Sequence, residues 1–339
     1  MPVDYGRAQG KLVWVRNPFT GALTYFTDVH KKQSGFPRRA QTAPAAQAPD
    51  WQAAKAARLA ELEAAQRDCP FCPGNESLTT AEVLRLTSDD IGLDGLDAPW
   101  IVRAFRNLYP RIPEACTGGR NESYVVVEDP RHFADGASHH EELLYTALLP
   151  REQFRAVLRA DIAVARVAYE NPAVRAVILR KNQGRESGAS QPHLHNQVIG
   201  GDQPFPPIAL ERATLERQPS LWREILTFAE DEGFMLAQRD GCALYFCPFG
   251  TFPRSYDVVC LEATDRITEL PSSVLDTFAD LLHDALTILG PLPLDYEIHD
   301  GPGVPLHAHV CARHFPYSNL GGTLNLPAEM AVVLRPPRP

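Results

Sequence analysis

The 339-residue sequence predicts an α+β protein in which two fused halves repeat one plan. Three observations carry this. Strand-like apolar runs at Ile101 to Phe105 and Tyr124 to Val127 have counterparts at Cys242 to Phe246 and Tyr256 to Leu261. A helical pattern from Arg151 to about Glu170, with Phe154, Val157, Leu158, Ile162 and Ala165 at helical spacing, is matched from Ser272 to Leu289 by Leu275, Phe278, Ala279, Leu282 and Leu286 on one face. Each helix is followed by a strand, a Gly/Pro loop and a His-x-His pair: Val174 to Leu179 leads to His193-Leu194-His195, and Leu294 to Ile298 leads to His307-Ala308-His309. The halves join near Gly200 to Ala209.

Taken in order, Lys11 to Val15 and Ala22 to Thr27 read as two short strands around the turn Asn17-Pro18-Phe19-Thr20-Gly21. The run His30 to Arg39 is basic and by itself reads as a solvated charge run. Residues 41–49 are Ala-, Pro- and Gln-rich, the composition of a spacer, and Asp50 can cap a helix from Trp51 to Arg67. The expected organisation is a hairpin and basic segment of the first half at 1–40, an inserted spacer and helix at 41–68, a first half at 69–205 and a second at 206–339.

A hydrophobic fraction of 44% with 22% charged residues is that of an ordinary soluble domain. The formal net charge of -9 argues against a nucleic-acid-coating surface. No apolar run approaches membrane-spanning length and no signal-peptide pattern opens the sequence, so a cytoplasmic protein with no membrane partner is expected. The seven cysteines are scattered, unlike a secreted disulfide framework, and only Cys69-Pro70-Phe71-Cys72 has a spacing that suggests chemistry. Two thiolates so placed make half of a tetrahedral zinc site; the competing redox role needs a thioredoxin-like strand context that this segment lacks.

The stretch Gly188-Ala189-Ser190-Gln191-Pro192-His193-Leu194-His195-Asn196-Gln197 concentrates the chemistry. If a strand runs from His193 to Ile199, its period of two turns His193, His195 and Gln197 to one face. Two imidazoles and an amide there serve a metal, a phosphate or a nucleophile, or are simply hydrogen-bonded residues of a half-buried strand. Gly188, Ser190 and Pro192 make a tight approach loop, which offers backbone N–H groups to an anion.

This stretch resembles the active-site motif of the galactose-1-phosphate uridylyltransferases, the transferase branch of the histidine-triad superfamily: Gly-(Cys/Ala)-Ser-x-x-His-x-His-x-Gln. The resemblance extends to Asn17-Pro18-Phe19-Thr20-Gly21, to Cys69-x-x-Cys72, to Arg103-Ala104-Phe105-Arg106-Asn107 and to Asn182 ahead of the glycine loop. It implies two histidine-triad-like halves, each a mainly antiparallel sheet packed by a helix, and a homodimer of carbohydrate metabolism. It implies that His195 is the nucleophile and Gln197 binds the phosphate, with Asn107, Asn182, Gly188 and Ser190 as further substrate contacts. Asn107 reads equally well as a strand-end turn residue. Histidine-triad hydrolases carry a third His where Gln197 stands, which favours the transferase branch.

The resemblance also implies a structural zinc held by Cys69, Cys72, His132 and His193. It implies a second zinc or iron(II) site from Glu211, His299, His307 and His309, against which stands the reading of these as core histidines and a surface glutamate. The implied activity is transfer of a nucleoside monophosphate from a nucleotide sugar to a sugar 1-phosphate. A phosphorylase or hydrolase passing the same group to phosphate or water is the alternative, and a non-catalytic nucleotide-binding protein is a third possibility.

Overall fold

The computed structural model describes residues 3–8, 10–27, 51–93, 98–137, 142–250, 252, 254–313, 318–320 and 323–327, with the backbone alone for 27, 51–59, 114, 318–320 and 323–327. The basic run at 30–39 and the spacer at 41–49 lie outside the described residues. The chain opens with strands β1 (Tyr5–Ala8), β2 (Lys11–Arg16) and β3 (Leu23–Thr27), then helix α1 (Trp51–Asp68). The first half continues with β4 (Glu82–Leu86), α2 (Ser88–Ile91), β5 (Val102–Arg106), α3 (Glu114–Thr117), β6 (Glu122–Val127), α4 (Arg151–Tyr169), β7 (Ala176–Gln183) and β8 (His195–Gly201). Helices α5 (Pro206–Arg217) and α6 (Leu221–Asp231) lead into the second half. That half has β9 (Met235–Arg239), β10 (Cys242–Phe246), β11 (Ser255–Cys260), α7 (Ser272–Leu289), β12 (Leu294–Gly301) and β13 (Val304–Ala312). Two short strands follow, β14 (Ser318–Leu320) and β15 (Thr323–Pro327).

Ten strands form one antiparallel sheet in the order β4-β5-β6-β8-β7-β12-β13-β11-β10-β9. Read outward from the middle, each half has the same order, and the two meet where β7 pairs antiparallel with β12 from Leu179↔Ile298 to Gln183↔Leu294. The repeated plan legible in the sequence is therefore a repeated topology. Helices α4 and α7 cover one face and bury the apolar stripes the spacing predicts. They run antiparallel to each other, tied by Arg151–Asp284, Arg155–Asp280 (2.6 Å) and Arg159–Asp276 (2.6 Å), pairs stepped by four residues along each helix.

Four expectations are revised. Strand β8 begins at His195, so His193 belongs to the approach loop; the Ser190–His193 turn delays the ladder. The join near 200–209 holds the start of α5, and α6 buries Leu221, Trp222, Ile225, Phe228 and Ala229. The N-terminal hairpin, assigned to the first half, packs instead on the second: Tyr5 stacks on Phe228, Phe19 on Trp222, and Asn17 Nδ2 donates to the Phe249 carbonyl at 3.0 Å. Cys242 and Cys260, given no chemistry by spacing, are register partners on β10 and β11 and are joined as a disulfide. No described helix is long and apolar enough to cross a membrane.

Candidate active site and metal clusters

Cys69, Cys72, His132 and His193 are all buried, and their ligand atoms lie within 4.8 Å of one another. Cys72 Sγ is 3.4 Å from both His132 Nδ1 and His193 Nδ1, and Cys69 Sγ is 3.6 Å from His193 Nδ1. Sulfur and nitrogen ligands around a tetrahedral zinc stand about 3.5 Å apart, so the donor set fits that ion. The tautomer fits as well: His193 donates its Nε2–H to the Asp129 carbonyl at 2.8 Å, which turns the Nδ1 lone pair toward the thiols. The Cys72 S–H holds the Cys69 thiol well below its usual range, while Cys69 and burial push Cys72 up.

The backbone of His193 serves the next site. Its carbonyl accepts Nδ1–H of His195 at 2.8 Å, so the Nε2 lone pair of His195 is the one left for chemistry. His195 is only 6% exposed, and burial pushes its pKa down to about 4, helped by the charge of Lys181 against the hydrogen bond to the His193 carbonyl. The ring is neutral at pH 7. It sits in the wall of a cavity of about 380 Å³, with Gln197 two residues along the same strand, Gly188 and Ser190 from the approach loop, and Asn107 opposite. Phe71, between the two cysteines, lies edge-on to the His195 ring with centroids 5.3 Å apart. Gly188 has φ +85°, a left-handed turn that favours glycine.

Of the predicted substrate contacts, Asn182 is not in this wall. Its amide donates to the Ser187 carbonyl (2.8 Å) and to Asp295 (2.7 Å), and its oxygen accepts from Arg111 (3.1 Å). It braces the loop and an arginine rather than facing the cavity. Asn107 lines the cavity and is also a turn residue, its Oδ1 accepting the Tyr109 N–H at 2.9 Å. Sequence reasoning missed Arg111, the cation of the cavity, whose pKa burial and Arg180 push down. Its one signal was its place just after the Pro-terminated turn at Tyr109-Pro110.

Beneath β8, on the helix-covered face, Lys181 and Glu128 form a fully buried ion pair. Lys181 Nζ is also 3.4 Å from the His195 carbonyl and 3.5 Å from Asn196 Oδ1, and Asn196 donates to the buried Asp161 at 2.8 Å. The His195 carbonyl and the Asn196 side chain are thus held from below.

Glu211, His299, His307 and His309 also converge, their ligand atoms within 4.8 Å. Glu211 lies 3.0 Å from His299 Nδ1, 3.3 Å from His307 Nε2 and 3.4 Å from His309 Nε2. The other nitrogens of two rings are committed: His307 Nδ1–H to the Pro305 carbonyl (2.7 Å) and His309 Nδ1–H to Asp257 (2.8 Å). His307 Nε2 and His299 Nε2 are buried without a hydrogen-bond partner among the described residues. A carboxylate faced by three imidazoles, two of them with the Nε2 lone pair turned inward, suits a transition metal such as zinc or iron(II).

In overall structure the chain is similar to an ADP-glucose phosphorylase from Arabidopsis thaliana with bound ADP-glucose, at a TM-score of 0.66 and 17% identity over 95% of this chain and 97% of that one. It is similar to a GalT-like protein from Arabidopsis thaliana (0.61, 19%, 79% and 91%) and to a uridylyltransferase (0.57, 18%, 94% and 96%). These likenesses show the fold: the two-half α+β architecture. A comparison with curated proteins by sequence finds no match. A family described as "Domain of unknown function (DUF4921)" matches residues 112–302, from ahead of β6 to the turn before β13 and so across His132, the His195 loop and Glu211. That match spans more than half of the sequence, and the chain belongs to the DUF4921 family.

Proposed function

We propose that this chain is a nucleotidylyltransferase, moving a nucleoside monophosphate from a nucleotide sugar to a sugar 1-phosphate through a covalent intermediate on His195. One observation carries the reading: a buried, neutral imidazole, its Nδ1–H fixed by the His193 carbonyl, in the wall of a cavity that also holds Gln197, Ser190 and Arg111. His195 Nε2 forms a bond to the α-phosphorus, and the bond from that phosphorus to the bridging oxygen breaks, releasing the sugar 1-phosphate. The acceptor's phosphate oxygen then attacks the same phosphorus, and the imidazole leaves neutral. Gln197 and the loop N–H groups offset charge on the nonbridging oxygens, and Arg111 pairs with the leaving or arriving phosphate. Cys69, Cys72, His132 and His193 would hold zinc, whose contribution is a fixed His193 backbone rather than a reacting group.

On this reading residues 69–205 are the catalytic half and residues 206–339 the half that carries Glu211, His299, His307 and His309. A cytoplasmic homodimer belongs to the same reading. In a second possibility inorganic phosphate is the acceptor, pairing with the same Arg111, and the protein is a phosphorylase; the likeness to an ADP-glucose phosphorylase over nearly both whole chains supports it. The test is incubation with UDP-, ADP- and GDP-sugars, each with and without phosphate or a sugar 1-phosphate, read by intact mass. A nucleotidyl adduct on His195, discharged by one acceptor, is expected. Absence of an adduct with every donor would overturn the reading.

A further inference from the structure

A second cavity, of about 340 Å³, shares no lining residue with the His195 cavity. Its walls come from the end of α4, the start of β7, helix α5 and the β12–β13 turn, and three of its lining residues are Arg175, Arg212 and Arg266. Among the described residues no carboxylate comes within 4.0 Å of any of the three. This contrasts with Arg151, Arg155 and Arg159 on α4, each paired with an aspartate of α7. The carboxylate at hand, Asp300, is engaged by the Ile267 backbone N–H, and Glu216 is exposed.

The arginines are placed rather than loose. Arg266 lies over the Tyr169 ring, its guanidinium carbon 4.6 Å from the centroid. Arg212 has a buried Nε with no hydrogen-bond partner among the described residues, and its guanidinium occupies space that a side chain at position 301 would contest: a Cβ on Gly301 would stand 3.3 Å from Arg212 Nη2. Three cations gathered around one cavity repel one another, a cost that an anion relieves. Guanidinium groups match phosphate oxygens in geometry, and Pro204, Ile208 and Ala213 add an apolar wall.

We propose that this cavity is a second oxyanion site, distinct from the His195 cavity, that takes a phosphate or a phosphomonoester on Arg175, Arg212 and Arg266. Because Arg212 follows Glu211 and Asp300 precedes the Gly301 turn just after His299, the site lies directly behind the Glu211–histidine cluster.

Residue-resolved arginine modification with phenylglyoxal tests this on the intact protein. Rates at each arginine are read by peptide mass in inorganic phosphate, glucose 1-phosphate or AMP, against chloride at equal ionic strength. At about ten times its dissociation constant, a bound phosphate slows modification of Arg175 and Arg266 about tenfold, since roughly one chain in eleven is then free. Equal protection by all three probes assigns free phosphate as the ligand; protection by an ester alone assigns an organic phosphate, seated on Pro204 and Ile208. Either outcome supports the site. Arg175 is exposed and tolerates change, so Arg175→Gln should raise the concentration that protects Arg266 about tenfold, the loss of one charge-assisted contact. Modification rates equal to those in chloride with every probe, or an unchanged protection curve in Arg175→Gln, would overturn the proposal. Arg111 in the same digest reports the His195 cavity, so failure of this site and failure of the transferase reading are told apart.

Discussion

Replacing Lys181 by Met tests how the strand that carries His195 is held. Both members of the Lys181–Glu128 pair are fully buried, so removing the ammonium leaves a carboxylate whose remaining side-chain support is the Thr146 hydroxyl at 3.1 Å. Breaking a buried pair from one side costs about 3–5 kcal/mol, because the surviving charge keeps its desolvation cost. At about 2–4 °C per kcal/mol for a chain of this size, Tm should fall by roughly 10 °C. Lys181→Met combined with Glu128→Gln should recover most of that loss, since no charge is then stranded, and the two changes should couple by about 2 kcal/mol or more in a double-mutant cycle. Lys181 also sits 3.4 Å from the His195 carbonyl and 3.5 Å from Asn196, so a looser β8 should cut kcat about tenfold even in the double variant. Denaturant midpoints and initial rates on the four proteins are the assay. A cost for Lys181→Met below about 1 kcal/mol, with no coupling, would refute the reasoning.

Other outcomes follow from the same geometry. His195→Gly should abolish transfer with an intact fold, and added imidazole should restore part of it; full turnover without imidazole would show that the nucleophile lies elsewhere. Gln197→Ala should slow adduct formation about 10²-fold, measured by quenched intact mass, if its amide offsets charge on the phosphate oxygens. The acid limb of adduct formation should lie near pH 4 rather than near 6.5, because burial keeps His195 neutral. Stability carries the matching sign: between pH 6.5 and about 4 the unfolded chain protonates this histidine and the folded one does not, so its contribution is complete above 6.5 and is lost as pH falls toward 4. Elemental analysis should find two metal ions per chain; Cys69→Ala should remove one and lower Tm before it lowers the rate, and His307→Ala should remove the other.

Much of the frame was legible because it is local. The stripes of α4 and α7 repeat at helical spacing, and Cys69-x-x-Cys72 and His193-x-His195-x-Gln197 are short enough to read within one turn or strand. What escaped depends on which strand lies beside which. Cys242 and Cys260 meet because β10 and β11 pair in that register, and Lys181 meets Glu128 only because β7 and β6 flank β8. Asn182 was assigned to the cavity from its place before the glycine loop, yet Asp295 on β12, 113 residues away, claims its amide. The hairpin at Asn17 was assigned by chain order to the first half, whereas the apolar face waiting for Phe19 belongs to α6. Helix α6 itself carried its signal in Leu221, Trp222, Ile225 and Phe228.

The pairing of β7 with β12 bears on how such a chain could arise and on whether it can be divided. Cut after β8, the first half would present Leu179–Gln183 of β7 as a bare edge, five residues whose β12 partners are gone, inviting another strand. A second copy of the same fragment offers an equivalent edge, and an antiparallel contact between identical strands is self-complementary about a two-fold axis. Two such fragments would therefore rebuild a ten-stranded sheet with a His195 loop on each side. Fusing them into one polypeptide turns an association governed by concentration into one that is intramolecular, and it frees each copy to change separately. One copy carries a histidine in the wall of a cavity of about 380 Å³, while the other surrounds a glutamate with three.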